Sequence, residues 1–369
     1  MKRIGILTSS RADFGIYLPL LKLLKKDDYF QTEIIAFGTH LSFFHGNTID
    51  QINTAGFNVK YKIESLLLTD TPASLATGMG LTAIKFADFW KDHGNEFDLV
   101  FCLGDRYEMY AAVMAGVPFQ LQFAHLHGGE TTLGAIDNIF RHSITLASRY
   151  HFVATKQFAD KVATIIGKNE HIYNVGALSL DNLSNMKVLS TEEFATKWGI
   201  DLSKKTILTT FHPETVALQK NKEYINELIG AINELPSYQI LITMPNTDTA
   251  SSVIRDALIT NFKGSKRVFL IENLGSESYF TAMHYCSFLL GNTSSGIIEA
   301  ASFNKYVINL GNRQEGRLAG ENVIHVPVKK ADILNAVKFI ETGHRKSPIE
   351  NIYFKSGAAD AIVNYIKGI

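Results

Sequence analysis

The sequence predicts an α/β protein with two Rossmann-like, doubly wound domains and an interdomain cleft. Short apolar runs without polar alternation are typical of strands buried on both faces of a parallel sheet. These runs alternate with longer segments of helical periodicity, which is the βαβ rhythm. A chain of 369 residues is also too long for one ordinary core. We therefore expect two sheets, each covered by helices on both faces.

The first predicted domain covers residues 1–178, the second residues 179–350, and residues 351–369 read as a C-terminal helix. The boundary falls where the rhythm weakens, near residues 176–190. In the first domain we expect strands at 4–7, 32–37, 99–103, 119–124 and 150–154, and helices at 15–26, 48–54, 80–93, 106–116, 137–148 and 156–166. In the second we expect strands at 206–210, 239–243, 268–271, 288–290, 306–309 and 323–325, and helices at 221–234, 249–261, 275–285 and 295–302.

The composition excludes several classes of function. The net charge is zero and charged residues make up 20% of the chain, which argues against a nucleic-acid or membrane-surface role because both need a cationic excess. Cys102 and Cys286 lie in apolar stretches, as expected of buried thiols in a reducing compartment. We see neither a signal peptide nor a run long enough to cross a bilayer, and we expect a cytoplasmic protein.

Polar residues cluster between Leu103 and His142, at or just after the ends of apolar runs. The stretch reads L-G-D-R at 103–106, H-L-H-G-G-E at 125–130, I-D-N at 136–138 and R-H at 141–142. It contains three acids, Asp105, Glu130 and Asp137, beside several cations. Strand ends of an open α/β sheet build a site along its carboxyl edge. Acids and cations together indicate proton transfer beside an anionic substrate group.

This cluster also has structural interpretations. Asp137 could cap the helix that follows it. His125, His127 and Glu130 could hold a metal, but two histidines separated by one residue point to opposite sides of an extended strand, which spoils shared ligation. We therefore expect no metal.

The second domain carries its own candidate residues. His212, in T-F-H-P-E at 210–214, follows a strand and is expected to face the cleft. Thr293 and Ser294, in G-N-T-S-S-G-I-I-E at 291–299, open a helix whose N–H groups could bind phosphate. Glu299 could accept hydrogen bonds from a ribose, although Ser295 and Glu299 could also form a simple capping box.

Three further cations or amides lie at strand ends. Arg313 follows a strand in G-N-R-Q-E-G-R at 311–317, and two arginines there favour a diphosphate. Asn246 follows Pro245 at another strand end. Arg11 lies in T-S-S-R-A-D-F-G at 8–15, where a strand leads into a helix. The spacing there is not that of a dinucleotide fingerprint. The residues alone thus indicate a nucleotide-sugar site, with the nucleotide on the second domain.

Taken in order, these motifs resemble those of the hydrolysing UDP-N-acetylglucosamine 2-epimerases of bacterial sialic and nonulosonic acid synthesis. The resemblance covers nearly the whole chain and rests on R-A-D at 11–13, L-G-D-R at 103–106, H-L-H-G-G-E at 125–130, I-D-N-x-x-R-H at 136–142, F-H-P at 211–213, P-N at 245–246, G-N-T-S-S-G-x-x-E at 291–299 and G-x-R-Q-x-G-R at 311–317. It implies the GT-B arrangement, with the C-terminal helix returning to the first domain, and a homodimer or homotetramer.

The resemblance also implies a two-stage reaction without metal, nicotinamide or other cofactor. UDP leaves C1 while the proton at C2 is lost, and water then adds to the resulting glycal with inverted configuration at C2. Carried over by position, the catalytic candidates are Asp105, Glu130, Asp137, His127 and His212. The candidate UDP and substrate contacts are Arg11, Arg106, Asn246, Thr293, Ser294, Glu299 and Arg313.

Two matters stay open at the level of sequence. Relatives often carry a carboxylate where this chain has His127, so either Glu130 or His127 transfers the proton. The substrate is UDP-N-acetylglucosamine or a UDP-2,4-diacetamido-trideoxy sugar, as in legionaminic acid synthesis. A non-hydrolysing epimerase fits the motifs less well, because those enzymes resemble H-x-E-A-G more than H-G-G-E. A GT-B glycosyltransferase and a non-catalytic sugar-binding protein also fit less well, because neither needs three clustered acids.

Overall fold

A computed structural model describes residues 1–43, 47–184, 186–245, 249–343 and 348–369. The chain forms two compact units. Unit one comprises Met1–Glu130, Asp137–Asn185 and Tyr353–Ile369, and unit two comprises Thr131–Ile136 and Met186–Ile352. The short segment Thr131–Ile136 thus belongs to unit two, although its sequence neighbours on both sides belong to unit one.

Unit one contains a seven-stranded parallel sheet. Its strands are β1 (Lys2–Thr8), β2 (Phe30–Phe37), β3 (Val59–Ile63), β4 (Leu99–Leu103), β5 (Phe123–Leu126), β6 (Tyr150–Val153) and β7 (Ile172–Asn174). Its helices are α1 (Arg11–Lys26), α2 (Ile49–Thr54), α3 (Pro72–His93), α4 (Tyr107–Gly116), α5 (Asp137–Ala147), α6 (Lys156–Ile166), α7 (Asp181–Ser184) and α14 (Ala358–Lys367).

Unit two contains a six-stranded parallel sheet. Its strands are β8 (Thr206–Thr210), β9 (Gln239–Thr243), β10 (Val268–Ile271), β11 (Phe288–Gly291), β12 (Val307–Leu310) and β13 (Val323–Val326). Its helices are α8 (Thr191–Trp198), α9 (Asn221–Asn233), α10 (Ser251–Phe262), α11 (Gly275–Tyr285), α12 (Ser294–Ile298) and α13 (Lys330–Glu341).

Both sheets have the Rossmann strand order, which confirms the predicted fold class. The orders are β3-β2-β1-β4-β5-β6-β7 and β10-β9-β8-β11-β12-β13. In each sheet the winding direction reverses once, between β1 and β4 and between β8 and β11. Ligands of open α/β sheets bind beyond the carboxyl ends of the strands at such a reversal. The loops that follow these four strands are therefore the first places to look for a site.

The core of unit one joins distant parts of the sequence. Along α1, the buried residues Tyr17, Leu20, Leu21 and Leu24 recur with helical spacing and cover the sheet. Ile362 and Ile366 of α14 are fully buried in the same cluster. The backbone N–H of Ala359 donates to Asp181, 2.6 Å away. The last helix is thus an integral part of the first core.

The predicted strand at 119–124 is wrong in its position, and the error affects the site. Residues 117–119 form a 3₁₀ turn that contains Pro118, and Gln120 has a positive φ of 57°. The strand begins only at Phe123 and ends at Leu126. His125, expected after the strand, therefore lies within it and is completely buried.

Other differences have simple physical causes. The helix expected at 80–93 begins earlier, at Pro72, because Thr71 caps it and proline suits its first turn. β3 is an edge strand in which lysines alternate with apolar residues, so it gave no continuous apolar run. α8 is mostly polar and is stabilised by a capping box between Ser190 and Glu193. No helix within the described ranges is both long and apolar enough to span a membrane.

Candidate active site

A buried ionic network lies at the carboxyl ends of β4 and β5. Arg141, on α5, is only 2% exposed. Its Nη2 donates to Oδ2 of Asp105, directly after the β4 end, and its Nη1 lies 3.6 Å from Oε2 of Glu130. Nη1 also donates to the carbonyl of His127, at 2.8 Å. One guanidinium therefore holds two of the three predicted acids at the same edge of the sheet.

His127 and Glu130 form a direct hydrogen bond within this network. His127 Nδ1 lies 2.8 Å from Glu130 Oε1, and both side chains are buried, at 9% and 1% exposed. The intervening Gly129 has a φ of +78°, and a Cβ there would collide with the carbonyl oxygen of Phe158. Gly129 is therefore required by packing inside the unit.

His125 has a structural role. Its Nε2 donates to the carbonyl of Gly104 at 2.8 Å, and its Nδ1 lies 3.1 Å from Thr145 Oγ1. Burial lowers the pKa of His125 to about 3, so the ring stays neutral. Among the described residues, no three histidine, cysteine or acidic side chains are grouped so that they could hold a metal.

Arg106 is held by an acid that the sequence analysis missed. Its Nε and Nη2 donate to the two carboxylate oxygens of Glu108, at 3.2 and 3.0 Å. Glu108 is 1% exposed. A bidentate pair fixes the guanidinium plane and leaves the half-buried Arg106 in one orientation. The spacing R-x-E at a helix start could have suggested this pair.

In the loop after β1, the Asp13 side chain binds the backbone N–H groups of the same loop. Asp13 accepts hydrogen bonds from the backbone N–H groups of Ser9 and Ser10, at 2.9 and 3.1 Å, and from both serine hydroxyls. The N–H groups that could have attracted an anion are therefore already used. Arg11, the first residue of α1, is half-buried. His40 lies behind this loop between Thr8 Oγ1 and Thr48 Oγ1, at 2.8 and 2.9 Å, and was not predicted.

The third predicted acid starts a helix. Asp137 is the first residue of α5 and is half-buried. It belongs to unit one, as do Asp105, Glu130 and Arg141. His142, on the same helix, is half-buried, and burial together with Lys161 and Arg141 lowers its pKa. A lowered pKa keeps His142 neutral at physiological pH.

In unit two, the fully buried Asn292 fixes the backbone of His212. The N–H of His212 donates to Asn292 Oδ1 at 2.7 Å, and Asn292 Nδ2 donates back to the carbonyl of His212 at 2.8 Å. A Cβ at Gly291 would collide with the carbonyl oxygen of Thr210, so β8 and β11 approach closely here. The motif G-N at 291–292 therefore locks the two loops at the reversal of the second sheet.

Glu214, also missed from the sequence, joins the loops after β8 and β12. It is 2% exposed, and its Oε1 accepts a 2.6 Å hydrogen bond from the N–H of Asn312. Gln314 Nε2 and Arg313 Nη1 donate to the carbonyl of Asn292, at 2.8 and 3.4 Å. Arg313 is thus held beside the β11 loop. Asn246 lies outside the described residues.

Thr293 and Ser294 open α12 as predicted, but Thr293 rather than Ser295 is the capping residue. Thr293 Oγ1 accepts from the N–H of Ser295 at 3.4 Å. Glu299 ends the five-residue helix and is 7% exposed. Tyr279, not predicted, is placed beside them, and burial raises its pKa to about 12. The phenol therefore stays protonated and able to donate a hydrogen bond.

Three buried histidines of unit one predict loss of stability in acid. Burial lowers the pKa of His40 and of His151 to about 4 and that of His125 to about 3. Between about pH 6.5 and pH 4 the unfolded chain binds protons that the folded chain excludes, so stability falls as the pH falls. Each such histidine contributes a slope of roughly 1.4 kcal/mol per pH unit.

His151 offers the sharpest test of this expectation, because its side chain is completely buried and burial is the largest cause of its lowered pKa. We expect His151→Leu to flatten the pH dependence of the free energy of unfolding between pH 6.5 and 4, measured by urea denaturation. The same variant should leave the dependence between pH 7 and 9 unchanged. An unaltered slope in the acid range would contradict the assignment.

Fold and site together define a class of protein. Two Rossmann-like units, each with polar side chains clustered at the reversal of its sheet, are typical of nucleotide-sugar enzymes with the GT-B fold. Comparison with known proteins then gives the family. The chain belongs to the UDP-N-acetylglucosamine 2-epimerase family, whose sequence model matches residues 22–367.

Individual relatives agree with this membership. The chain is 33% identical to the polysialic acid biosynthesis protein P7 of Escherichia coli, over 100% of this chain and 94% of that protein. It is also 33% identical to the hydrolysing UDP-N,N'-diacetylbacillosamine 2-epimerase of Legionella pneumophila, over 92% and 88%. The structure of UDP-GlcNAc 2-epimerase from Neisseria meningitidis bound to UDP-GlcNAc has the same fold, with a TM-score of 0.84, 18% identity and 100% of both chains covered.

Proposed function

We propose that this protein is a hydrolysing 2-epimerase that converts UDP-N-acetylglucosamine and water to UDP and N-acetylmannosamine. The observation that carries the proposal is the buried network in which Arg141 holds Asp105 and Glu130 at the end of β4 and β5. Removal of the weakly acidic C2 proton needs a fixed base and a fixed acid. Asp105 and the hydrogen-bonded pair of His127 and Glu130 are groups suited to proton transfer that this network holds in place.

The remaining candidates suit the departure of UDP. Arg11 and Arg106 in unit one, and His212, Arg313, Thr293 and Ser294 in unit two, are cations or hydroxyls at strand ends. Developing negative charge on the leaving diphosphate is stabilised best by donors that are already in position. Glu108 and Asn292 provide this by fixing Arg106 and the His212 loop. Asp137 is a further acid for the proton exchange, and Glu299 suits a ribose hydroxyl.

The hydrolysing outcome is supported by relatives. The N,N'-diacetylbacillosamine 2-epimerases of Legionella pneumophila and Campylobacter jejuni are 33% and 32% identical to this chain, and both are described as hydrolysing. The UDP-N-acetylglucosamine 2-epimerase of Neisseria meningitidis is 28% identical over 92% of this chain. Similarity to the polysialic acid protein over the whole chain favours N-acetylmannosamine as the product.

A second candidate substrate is a UDP-2,4-diacetamido-2,4,6-trideoxy sugar. The specific observation in its favour is the equal identity of 33% to the diacetylbacillosamine epimerase. Such a sugar carries an acetamido group at C4 and lacks the 6-hydroxyl, so it would need a more apolar sugar pocket. The reaction steps would be the same.

Product analysis by NMR tests both candidates. The protein is incubated without added metal with each UDP-sugar in turn. We expect release of UDP from UDP-N-acetylglucosamine together with N-acetylmannosamine. Release from the diacetamido sugar alone would replace the first candidate by the second. Return of UDP-N-acetylmannosamine without free UDP would contradict hydrolysis, and no turnover of either sugar would overturn the proposal.

A further inference from the structure

His127 has an unusual backbone conformation directly after β5. Its φ is +62°, in the left-handed region that is uncommon for residues other than glycine, although asparagine, aspartate and histidine adopt it more often than most. Its N–H donates to the carbonyl of Phe152 at 3.1 Å, and its own carbonyl accepts from Arg141. Glu130 then fixes the ring through Nδ1. These contacts hold the imidazole in one orientation.

We propose that Nε2 of His127 removes the proton from C2 of the sugar, and that Glu130 is a positioning residue that acts through His127. The inference rests on the function proposed above. It assigns one proton transfer within that reaction to one atom.

The hydrogen bond to Glu130 selects the tautomer of His127. A carboxylate oxygen only accepts, so the neutral ring carries its hydrogen on Nδ1, and the lone pair lies on Nε2. Nε2 is buried and finds no hydrogen-bond partner in the part of the chain that the structure describes. Buried polar atoms are nearly always partnered, and exceptions often have a catalytic role. Both nitrogens of the neighbouring His125, in contrast, have partners within the unit.

Glu130 is poorly placed to act on the sugar itself. Oε1 already accepts the hydrogen bond from His127 Nδ1, at 2.8 Å. Oε2 lies 3.6 Å from Arg141 Nη1. A base must come within hydrogen-bond reach of the proton that it takes. Glu130 is placed instead as the acid of a Ser-His-Asp triad is placed, behind a histidine that it orients.

The charges around the pair favour the transfer. When Nε2 takes a proton, the new imidazolium lies against the Glu130 carboxylate, which stabilises the positive charge. Arg141 compensates Glu130 and Asp105 while the ring is neutral. Both carboxylates of this network, Asp105 and Glu130, therefore have a cationic partner at either stage, which limits the desolvation penalty.

The C2–H bond breaks, its proton passes to Nε2, and its electron pair forms the C1–C2 double bond. The C1–O bond breaks, and its electron pair leaves on the UDP oxygen. Water then supplies a hydroxyl group to C1 and a proton to C2 of the glycal. The imidazolium loses its proton to solvent before the next turnover.

The first test replaces His127 by asparagine, which tolerates a left-handed backbone and cannot take a proton. We expect His127→Asn to slow UDP release roughly a hundredfold or more. The same variant should still hydrate added 2-acetamidoglucal in the presence of UDP, because that stage does not use Nε2 as a base. Calorimetry with UDP and thermal unfolding report whether the variant is folded and binds nucleotide.

His171 supplies a matched control. It is also a histidine with a positive φ, 60°, and it lies in unit one just before β7, at the amino end of the sheet. His171→Asn makes the same substitution in the same backbone conformation away from the network. We expect it to retain UDP release at the wild-type rate.

The second test replaces Glu130 by glutamine, which keeps the shape and removes the charge. We expect UDP release to fall about tenfold to a hundredfold, with the acid limb of the pH–rate profile moved to lower pH because the imidazolium loses its anionic neighbour. The double variant with His127→Asn should be no slower than His127→Asn alone, because the two residues act as a unit.

Three results would overturn the inference while leaving the proposed function intact. UDP release by His127→Asn close to the wild-type rate would exclude His127 as the base. A Glu130→Gln variant as slow as His127→Asn, with an unmoved acid limb, would make Glu130 the base. Loss of glycal hydration in His127→Asn would place His127 in the second stage. If wild-type protein releases no UDP from either sugar, the proposed function fails first.

Discussion

Replacement of Asp105 by asparagine is expected to slow UDP release about a thousandfold while UDP binding is retained. Asp105 is the network acid with the most exposed side chain, at 23%, and it follows β4 at the reversal of the first sheet. Asparagine keeps the size of the side chain but removes the negative charge of the carboxylate to which Arg141 Nη2 donates. The variant therefore loses the carboxylate while the shape of the side chain is kept.

Stopped assays of UDP release with the preferred sugar, and calorimetry with UDP, measure the two quantities separately. Asp160→Asn is a matched control, because Asp160 is also in unit one and also pairs with a cation, Lys156, but is 61% exposed. We expect that control to behave as wild type. Normal turnover by Asp105→Asn would remove Asp105 from the chemistry.

Replacement of Arg141 by methionine is expected to destabilise the protein by about 3–5 kcal/mol, because removal of one partner leaves buried carboxylates uncompensated. Arg141 contacts Asp105, Glu130 and the carbonyl of His127 at once. Activity should fall with stability, since the same guanidinium positions His127 and both acids.

Urea denaturation gives the free energy of unfolding for this variant and for Arg255→Met. Arg255 forms a bidentate pair with Glu272 at 3.0 and 2.8 Å, but that pair lies at the surface. Exposed pairs contribute about 0–1 kcal/mol, so Arg255→Met should be nearly neutral. Equal effects of the two substitutions would show that the Arg141 network does not stabilise the fold.

The parts of the fold predicted from sequence are those with a local signal. β4 and β8 are continuous apolar runs, and their bounds agree with the expected 99–103 and 206–210. β3 and β7 were missed because they are short edge strands whose side chains are partly polar. Helix α13, Lys330–Glu341, was also missed.

In the candidate site, too, the residues with a local sequence signal were predicted, and those that depend on tertiary packing were not. The acids Asp105 and Glu130 could be named because they stand at strand ends. That Arg141 joins them could not be foreseen, since it depends on the packing of α5 beside β4 and β5. Asn292, Glu214 and Asp13 were missed as positioning residues, because their partners lie up to 98 residues away or, for Asp13, within a turn that seemed open to an anion.

The return of α14 to the first core has a consequence for synthesis on the ribosome. Unit two, apart from the short segment Thr131–Ile136, is built from one stretch that ends at Ile352, whereas unit one needs Tyr353–Ile369 as well. Residues 353–369 are translated after all of unit two, so the first core lacks α14 until then and the α1 residues that pack against α14 stay uncovered. The first unit therefore completes its core only after the second unit has been synthesised.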